Sequence, residues 1–318
     1  AMMETLINYG QAAKASQLTA ALYYKDTANH LDEIGVADAA HNKGLVKRAR
    51  FTRRSRTVDL LGRIHGDMFF QDKLLLSGVD VNIKMTRSKD KFALMAAEDA
   101  TYKVKIMRAV LHVRKVRVSP AVFLSQAKAL EYGSAKYPID RVVCKTFSIP
   151  AGGLDFTHEN LFLGQIPTRV VVGCVDNNAY NGAYNKNPFN FKHYNMTNLS
   201  LQIDGQEQAC NPINTNFETS EIIRAYMSLF MDTGKAFRDE DIDISRDEYT
   251  GGFTLVCFDC TPDLAEQDHF NLIKTGSMRL KLNFAQPLAQ TVNVVVYAEF
   301  QSVIEIDQSR NVFVDYSS

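Results

Sequence analysis

Met278-Arg279-Leu280-Lys281-Leu282-Asn283-Phe284 is the stretch whose period decides the fold. Apolar and polar side chains alternate without a slip. An extended backbone therefore has one oily face and one wet face, as in a half-buried strand of an antiparallel sheet. The same period recurs at Leu199, Leu201 and Ile203, closed by the turn dipeptide Asp204-Gly205. Further upstream, Val79, Val81, Ile83 and Met85 alternate with Asp80, Asn82, Lys84 and Thr86. Residues 102–118 predict a long strand. Ala109, Leu111 and Val113 hold one phase there, Val116 and Val118 the other, and the slip near Lys115 predicts a bulge or bend. Strands are also predicted over 141–149, 168–175, 253–259 and 291–301.

Helical spacing is rarer. Leu6, Ala13, Leu18, Ala21 and Leu22 suggest helix within 1–30, with Gly10 weakening one unbroken run. Residues 31–50 are polar and read as a loop. Pro120 opens a helix through Ala121, Leu124, Ala127 and Leu130, and Gly133 ends it. An amphipathic helix is predicted over 219–231. Ile222, Tyr226 and Leu229 share a face, and Thr219 or Ser220 is the expected cap. The loops 176–190 and 232–251 are long and rich in Asn, Gly and Asp. Strands with a few short helices and no β-α alternation predict antiparallel β-sandwiches, a mainly all-β class. Two β-rich blocks, each broken by a helix, suggest tandem related domains.

Composition narrows the function. The chain has 318 residues, with 36 basic and 36 acidic side chains and 46% hydrophobic residues. It carries enough apolar mass for a full core, and its neutral total excludes a surface devoted throughout to neutralising phosphates. Five cysteines (Cys144, Cys174, Cys210, Cys257 and Cys260) are too few and odd in number for a disulfide framework. They favour a reducing compartment. No apolar run reaches the ~20 residues of a membrane-spanning helix, and no signal peptide is visible at the N-terminus.

Several groupings are candidates for chemistry. His65-Gly66-Asp67, with His112 or His158 as a third ligand, matches the pattern of a non-haem iron facial triad. Cys257-Phe258-Asp259-Cys260 is a lone Cys-x-x-Cys whose nearest histidine is His269. Zinc needs four ligands, so buried thiols are the simpler reading. Asp239, Glu240, Asp241, Asp243, Asp247 and Glu248 form an acidic loop that lacks the EF-hand spacing, and a solvated loop is the simpler reading there. No phosphate-binding glycine loop, nucleophile elbow or His-Glu-x-x-His is present, so neither enzyme activity nor a cofactor is expected. Lys47, Arg48, Arg50, Arg53, Arg54 and Arg56 form the densest basic run. It is either a DNA-facing or nuclear-import patch or a solvated loop.

Four segments, taken together, resemble one family. They are LLGRIHGDMFFQDKLLLSGVDVNIKMTRSKDKFALM at 60–95, YKVKIMRAVLHVRKVRVSPA at 102–121, NLFLGQIPTRVVVGCVDNNAYNGAYNKNPFNFKHYN at 160–195 and NVVVYAEFQSVIEIDQSRNV at 293–312. They are similar to the major capsid protein of Polinton (Maverick) elements and adintoviruses, over about Asn8 to Tyr316. The resemblance implies a double jelly roll, with three chains forming a pseudo-hexagonal capsomer. Residues 136–318 would be the whole second jelly roll, with the helix near 219–231 inserted between strands. Residues 1–135 would be an incomplete first jelly roll, because family members carry further residues ahead of this chain's start. A fragment, a gap filled by another chain and a repurposed copy would each account for that.

The implied function is structural. The chain would self-assemble as a homotrimer within an icosahedral virion, beside penton or minor capsid proteins and around packaged DNA. Candidate capsomer contacts are Asn177, Tyr180, Tyr184, Asn187, Pro188 and Phe189, since aromatic and Asn-rich loops suit protein contacts. The alternative is a jelly-roll iron oxygenase or binding module.

Overall fold

Alternation becomes sheet only where a neighbouring strand can take the backbone hydrogen bonds. In this chain that holds from residue 135 onward. The computed structural model describes residues 1–37, 39–207, 212–261 and 274–314. Its first part holds helices α1 (Met2–Asn8), α2 (Gln11–Ala15), α3 (Lys43–Thr52), α4 (Asp90–Ala93) and α5 (Pro120–Tyr132). The strands follow as β1 (Ala135–Ile149), β2 (Asp155–His158), β3 (Leu163–Gln165), β4 (Arg169–Asp176), β5 (Met196–Ile203), β6 (Gln206–Glu207) and β7 (Ile213–Asn214). After them come β8 (Leu255–Asp259), β9 (Thr275–Phe284), β10 (Val292–Ile306) and β11 (Val312–Val314). Helices α6 (Asn177–Asn181), α7 (Ile223–Met231) and α8 (Arg246–Tyr249) interrupt them.

The strands form two antiparallel sheets. One has the order β1-β10-β4-β8, with β11 also on β10. The other has the order β2-β9-β5-β6, with β3 on β9 and β7 on β5. The chain alternates between the sheets, in the order β1, then β2 and β3, then β4, then β5 to β7, then β8, β9 and β10. That interleaving is a jelly roll.

Burial explains the two kinds of strand sequence. On β9, Met278, Leu280 and Leu282 are fully buried, while Arg279 and Lys281 are exposed. One face meets the core and the other meets solvent. On β4, Val170 through Asp176 are all buried, and on β10 Val292 through Ala298 are as well. The far side of their sheet is covered. Ser228 of α7 accepts a hydrogen bond from the Cys257 amide of β8 at 3.1 Å, and Met3, Leu6 and Ile7 of α1 belong to the same core cluster. A strand covered on both faces reads as a continuous apolar run.

Local devices match their residues. Asp204 and Gly205 both have positive φ (51° and 79°), the backbone of a tight hairpin turn between β5 and β6. A bulge between Met196 and Asn198 shifts the β5 register. Ser119 caps α5, accepting from the Val122 amide. At Gly10, a Cβ would lie 2.1 Å from Asp241 Oδ1, so only glycine allows that carboxylate to reach the Gln11 amide at 2.9 Å. The helical N-terminus is accordingly split there into α1 and α2.

Three expectations are corrected. Residues 79–85 and 102–118 form no strand among the described residues. Both phases are open to solvent: Met85 is 72% exposed and Ile106 62%. A strand needs a neighbouring strand for its amides and carbonyls, and among the described residues only side chains reach this backbone, as Asp90 and Arg87 do at Val104. Residues 43–50, within the stretch 31–50 read as loop, belong to helix α3, because Asn42 accepts from the Leu45 amide at 3.3 Å and caps it. Helix α7 begins at Ile223 without a side-chain cap, so neither Thr219 nor Ser220 plays that part.

The alternation on β9 gives a direct check. Leu280→Ala should lower unfolding free energy by about 2–5 kcal/mol, whereas Lys281→Ala should change it by less than about 0.5 kcal/mol. Urea denaturation of both variants tests this, and equal losses would contradict the burial pattern.

Candidate functional site

The surface to explain is the seam where residues 1–102 lie across the loops of the jelly roll. Two carboxylates organise one side of it. Asp32 accepts from the Asn187 amide at 2.9 Å, Asn190 Nδ2 at 2.7 Å and Lys192 Nζ at 2.9 Å. Asp26 accepts from Asn187 Nδ2 at 2.9 Å and Arg48 Nη2 at 2.5 Å. Farther along, Tyr184 Oη donates to the Tyr102 carbonyl at 2.5 Å, and Phe189 meets Phe92 edge to face at 5.6 Å.

These contacts place the six loop candidates. Tyr184, Asn187 and Pro188 are buried. Phe189 and Asn177 are half-buried. Tyr180 is exposed, with its hydroxyl 3.0 Å from Thr146 Oγ1. Tyr184 and Asn187 thus contact the chain's own N-terminal segment.

The acidic loop holds the other side. Lys14, buried, donates to the carbonyls of Leu6 and Ile242 at 2.9 and 2.6 Å. Burial lowers its pKa to about 8. Lys25 pairs with Glu248 at 2.8 Å and Asp243 at 3.7 Å. Asp241 binds the Gln11 amide, and Glu248 completes a capping box with Ser245. These carboxylates are therefore occupied by lysines and amides.

The basic run sits on α3 and the turn after it. Arg48 is half-buried on Asp26, and Lys47 lies 5.9 Å over the Tyr24 ring. Arg50, Arg53, Arg54 and Arg56 are exposed on one side of the molecule's N-terminal part. Gly44 makes this docking feasible, since a Cβ there would stand 2.4 Å from the Lys25 carbonyl.

The iron triad is not assembled. His65 Nδ1 contacts Glu4 of α1 at 3.0 Å, and Asp67 accepts from the Val142 amide on the open edge of β1 at 3.3 Å. His158 packs against Phe147 with ring centroids 4.0 Å apart and planes tilted by 35°, and His112 lies in the exposed 102–118 stretch. The pair acts as a fastener, and Asp67 and the segment after it cover part of an edge strand. Tyr137 extends that cover, accepting from the Leu76 amide and donating to the Leu74 carbonyl. Cys257 and Cys260 are buried, and burial pushes both thiols well up. Cys174 is pushed up to about 12 by the same cause. Cys210 and His269 lie outside the described residues.

Among the described residues, one constellation went unpredicted: His30, Glu33 and His41, whose ligand atoms lie within 4.8 Å of one another. The available signal was two histidines and a glutamate within one short polar stretch.

No helix among the described residues is long and apolar enough to cross a membrane. No family model matches the chain. An uncharacterized protein of Caenorhabditis elegans is 28% identical over 322 residues, spanning 99% of this chain and 74% of its own length. Similar solved structures are viral capsid proteins. The Sputnik virophage structure shares 15% identity at a TM-score of 0.38, over 58% of this chain and 39% of that one. The mavirus major capsid protein shares 10% at 0.34, over 57% and 41%. The PBCV-1 capsid shares 11% at 0.32, over 61% and 55%. The chain thus spans between 39% and 55% of the length of these three. Its own strand order, rather than these likenesses, carries the jelly-roll assignment.

Electrostatics at the end of α7 give a pH prediction. Burial, with Asp259 nearby, raises the Asp232 carboxyl to about 7 from 3.8, against the pull of Arg169 and Arg224. The folded state then binds more protons than the unfolded state between those values, so stability falls as pH rises from about 4 to about 7. Asp232→Asn should flatten that slope and stabilise the protein at pH 8. Thermal melts of both proteins across the range test this, and an unchanged slope would exclude Asp232 as its source.

Proposed function

We propose that this chain is a structural capsid subunit of the kind found in Polinton (Maverick) elements and adintoviruses, working by assembly and not by catalysis. The observation that carries the reading is the set of exposed apolar side chains between Val79 and Leu124. Met85, Ile106, Met107, Val113 and Leu124 are each more than half exposed there. Large apolar side chains exposed in this number suit a surface covered by another protein. Residues 79–85 and 102–118 also carry strand periodicity and pair with no strand among the described residues, which suits them to pairing with further strands. In the assembled particle, residues 1–135 would contribute to a first jelly roll and 136–318 would form the second. Three copies would make a pseudo-hexagonal capsomer of an icosahedral virion.

The jelly-roll strand order, the helix α7 inserted over one sheet and the sequence resemblance all support this reading. Interfaces of this class bury about 2,000 Å² or more, and many copies acting together need little affinity per contact. Tyr180, with Asn177 and Phe189, would supply loop contacts between subunits. Tyr184, Asn187 and Pro188 would support that loop from beneath. Arg50, Arg53, Arg54 and Arg56 would face packaged DNA, and penton or minor capsid proteins would fill the remaining positions. The iron-oxygenase alternative is not favoured, because its ligands are dispersed.

Light scattering after size exclusion, followed by electron microscopy, should show trimers or hexagonal particles. Ile106→Asp should abolish the associated species without lowering the melting temperature, since Ile106 is open in the single chain. A wild-type protein that stays monomeric at high concentration would overturn the proposal. Replacing Arg53, Arg54 and Arg56 with Gln should weaken DNA retention and reduce its salt slope by about 0.9 for each phosphate no longer neutralised. Identical retention across a salt series would remove the DNA role from this patch.

A further inference from the structure

The loop from residue 27 to residue 42 brings two imidazoles and a carboxylate to one point. His30 Nδ1 lies 2.5 Å from Glu33 Oε1, and His41 Nδ1 lies 3.2 Å from Glu33 Oε2. The two rings stack, with centroids 4.7 Å apart and planes 28° from parallel. We infer that His30, Glu33 and His41 form a site for one divalent transition-metal ion, best suited to zinc.

The donor set argues for the class of ion. Two neutral nitrogens and one carboxylate oxygen suit zinc and its neighbours, whereas calcium and magnesium want oxygen alone. Tetrahedral zinc with bonds of about 2.0–2.1 Å sets its ligands about 3.3 Å apart. The 3.2 Å between His41 Nδ1 and Glu33 Oε2 is near that spacing, while the 2.5 Å between His30 Nδ1 and Glu33 Oε1 would lengthen as the ion replaces that hydrogen bond. Side-chain exposures of 36%, 40% and 70% for His30, Glu33 and His41 leave an open side for water.

The backbone beneath the three ligands is fixed, which distinguishes this cluster from a chance surface grouping. Leu31 is buried, and its carbonyl accepts from Asn42 Nδ2 at 3.4 Å. Asp32 holds three donors of the 187–192 loop. The Asn29 amide donates to the Gly251 carbonyl at 2.6 Å, and the Glu33 amide to the His30 carbonyl at 3.0 Å. Asn42, fully buried next to His41, also caps α3. Each ligand therefore adjoins or lies one residue from an anchored position, and the ion would find its donors already gathered. Bound there, it would cross-link the ends of the 30–41 loop, and so fix α3 and its arginines relative to the seam.

The competing arrangement is a carboxylate shared between two imidazolium rings, with no ion. The experiment uses the full chain, stripped with chelator and dialysed, then titrated with zinc chloride by calorimetry and followed by thermal melting. The expected result is one zinc per chain and a melting temperature that rises with zinc. His30→Gln and His41→Gln should each weaken binding by at least about tenfold, the loss that removing even an outer partner causes. His158→Gln, in β2 and outside the cluster, should bind as wild type does. Circular dichroism confirms that each variant is folded, and cobalt substitution gives a visible spectrum that reports nitrogen ligands independently. No zinc uptake by the wild-type chain, or undiminished uptake by the double variant His30→Gln, His41→Gln, overturns the site.

Discussion

The ladder between β1 and β10 carries the architecture. Two 15-residue strands pair along their whole length, Ala135 with Ile306 at one end and Ile149 with Val292 at the other. The residues joined are far apart in sequence, so the ladder closes the fold on itself and places β4, and through it β8, in the same sheet. Once that sheet exists, β9 and β5 have an apolar face to cover. Long-range pairing of this kind makes folding slow and cooperative, because the loop entropy is spent before the contacts form.

Much of this was legible because a sheet with one wet face prints its period on the sequence. Leu280, Lys281 and Leu282 show it on β9, and Leu199 and Leu201 show it on β5. β4 and β10 were legible for another reason: their runs of β-branched residues have few alternatives to strand. The same logic failed for residues 79–85, whose alternation is as clean, and for 102–118, where it slips once near Lys115. Period says which face is oily, but it does not supply the neighbouring strand. Helix α3 failed in the opposite way. Its lysines and arginines mask the period, and the helix depends on the Asn42 cap and the close approach of Gly44 to Lys25, neither of which periodicity reveals.

The seam was the least legible part. Asn187 meets Asp26 and Asp32 from more than 150 positions away, and no local pattern announces that. The 177–189 loop has the composition of a contact surface, and the structure shows that much of its contact is made within the chain. His65 and Asp67 stand together in sequence, and each does bind a distant element, but they turn to separate partners, Glu4 and the Val142 amide.

The two sheets differ in how many of their faces are covered, and this sets how each can change over time. On β9 every second position is wet, so half its side chains are free to drift among polar residues. On β10, Val294, Val295 and Val296 are consecutive and all buried, so neither parity tolerates a charge. Lineages descending from this sequence would accumulate substitutions on one sheet and hold the other nearly still, leaving a lopsided record of divergence across a single small sandwich.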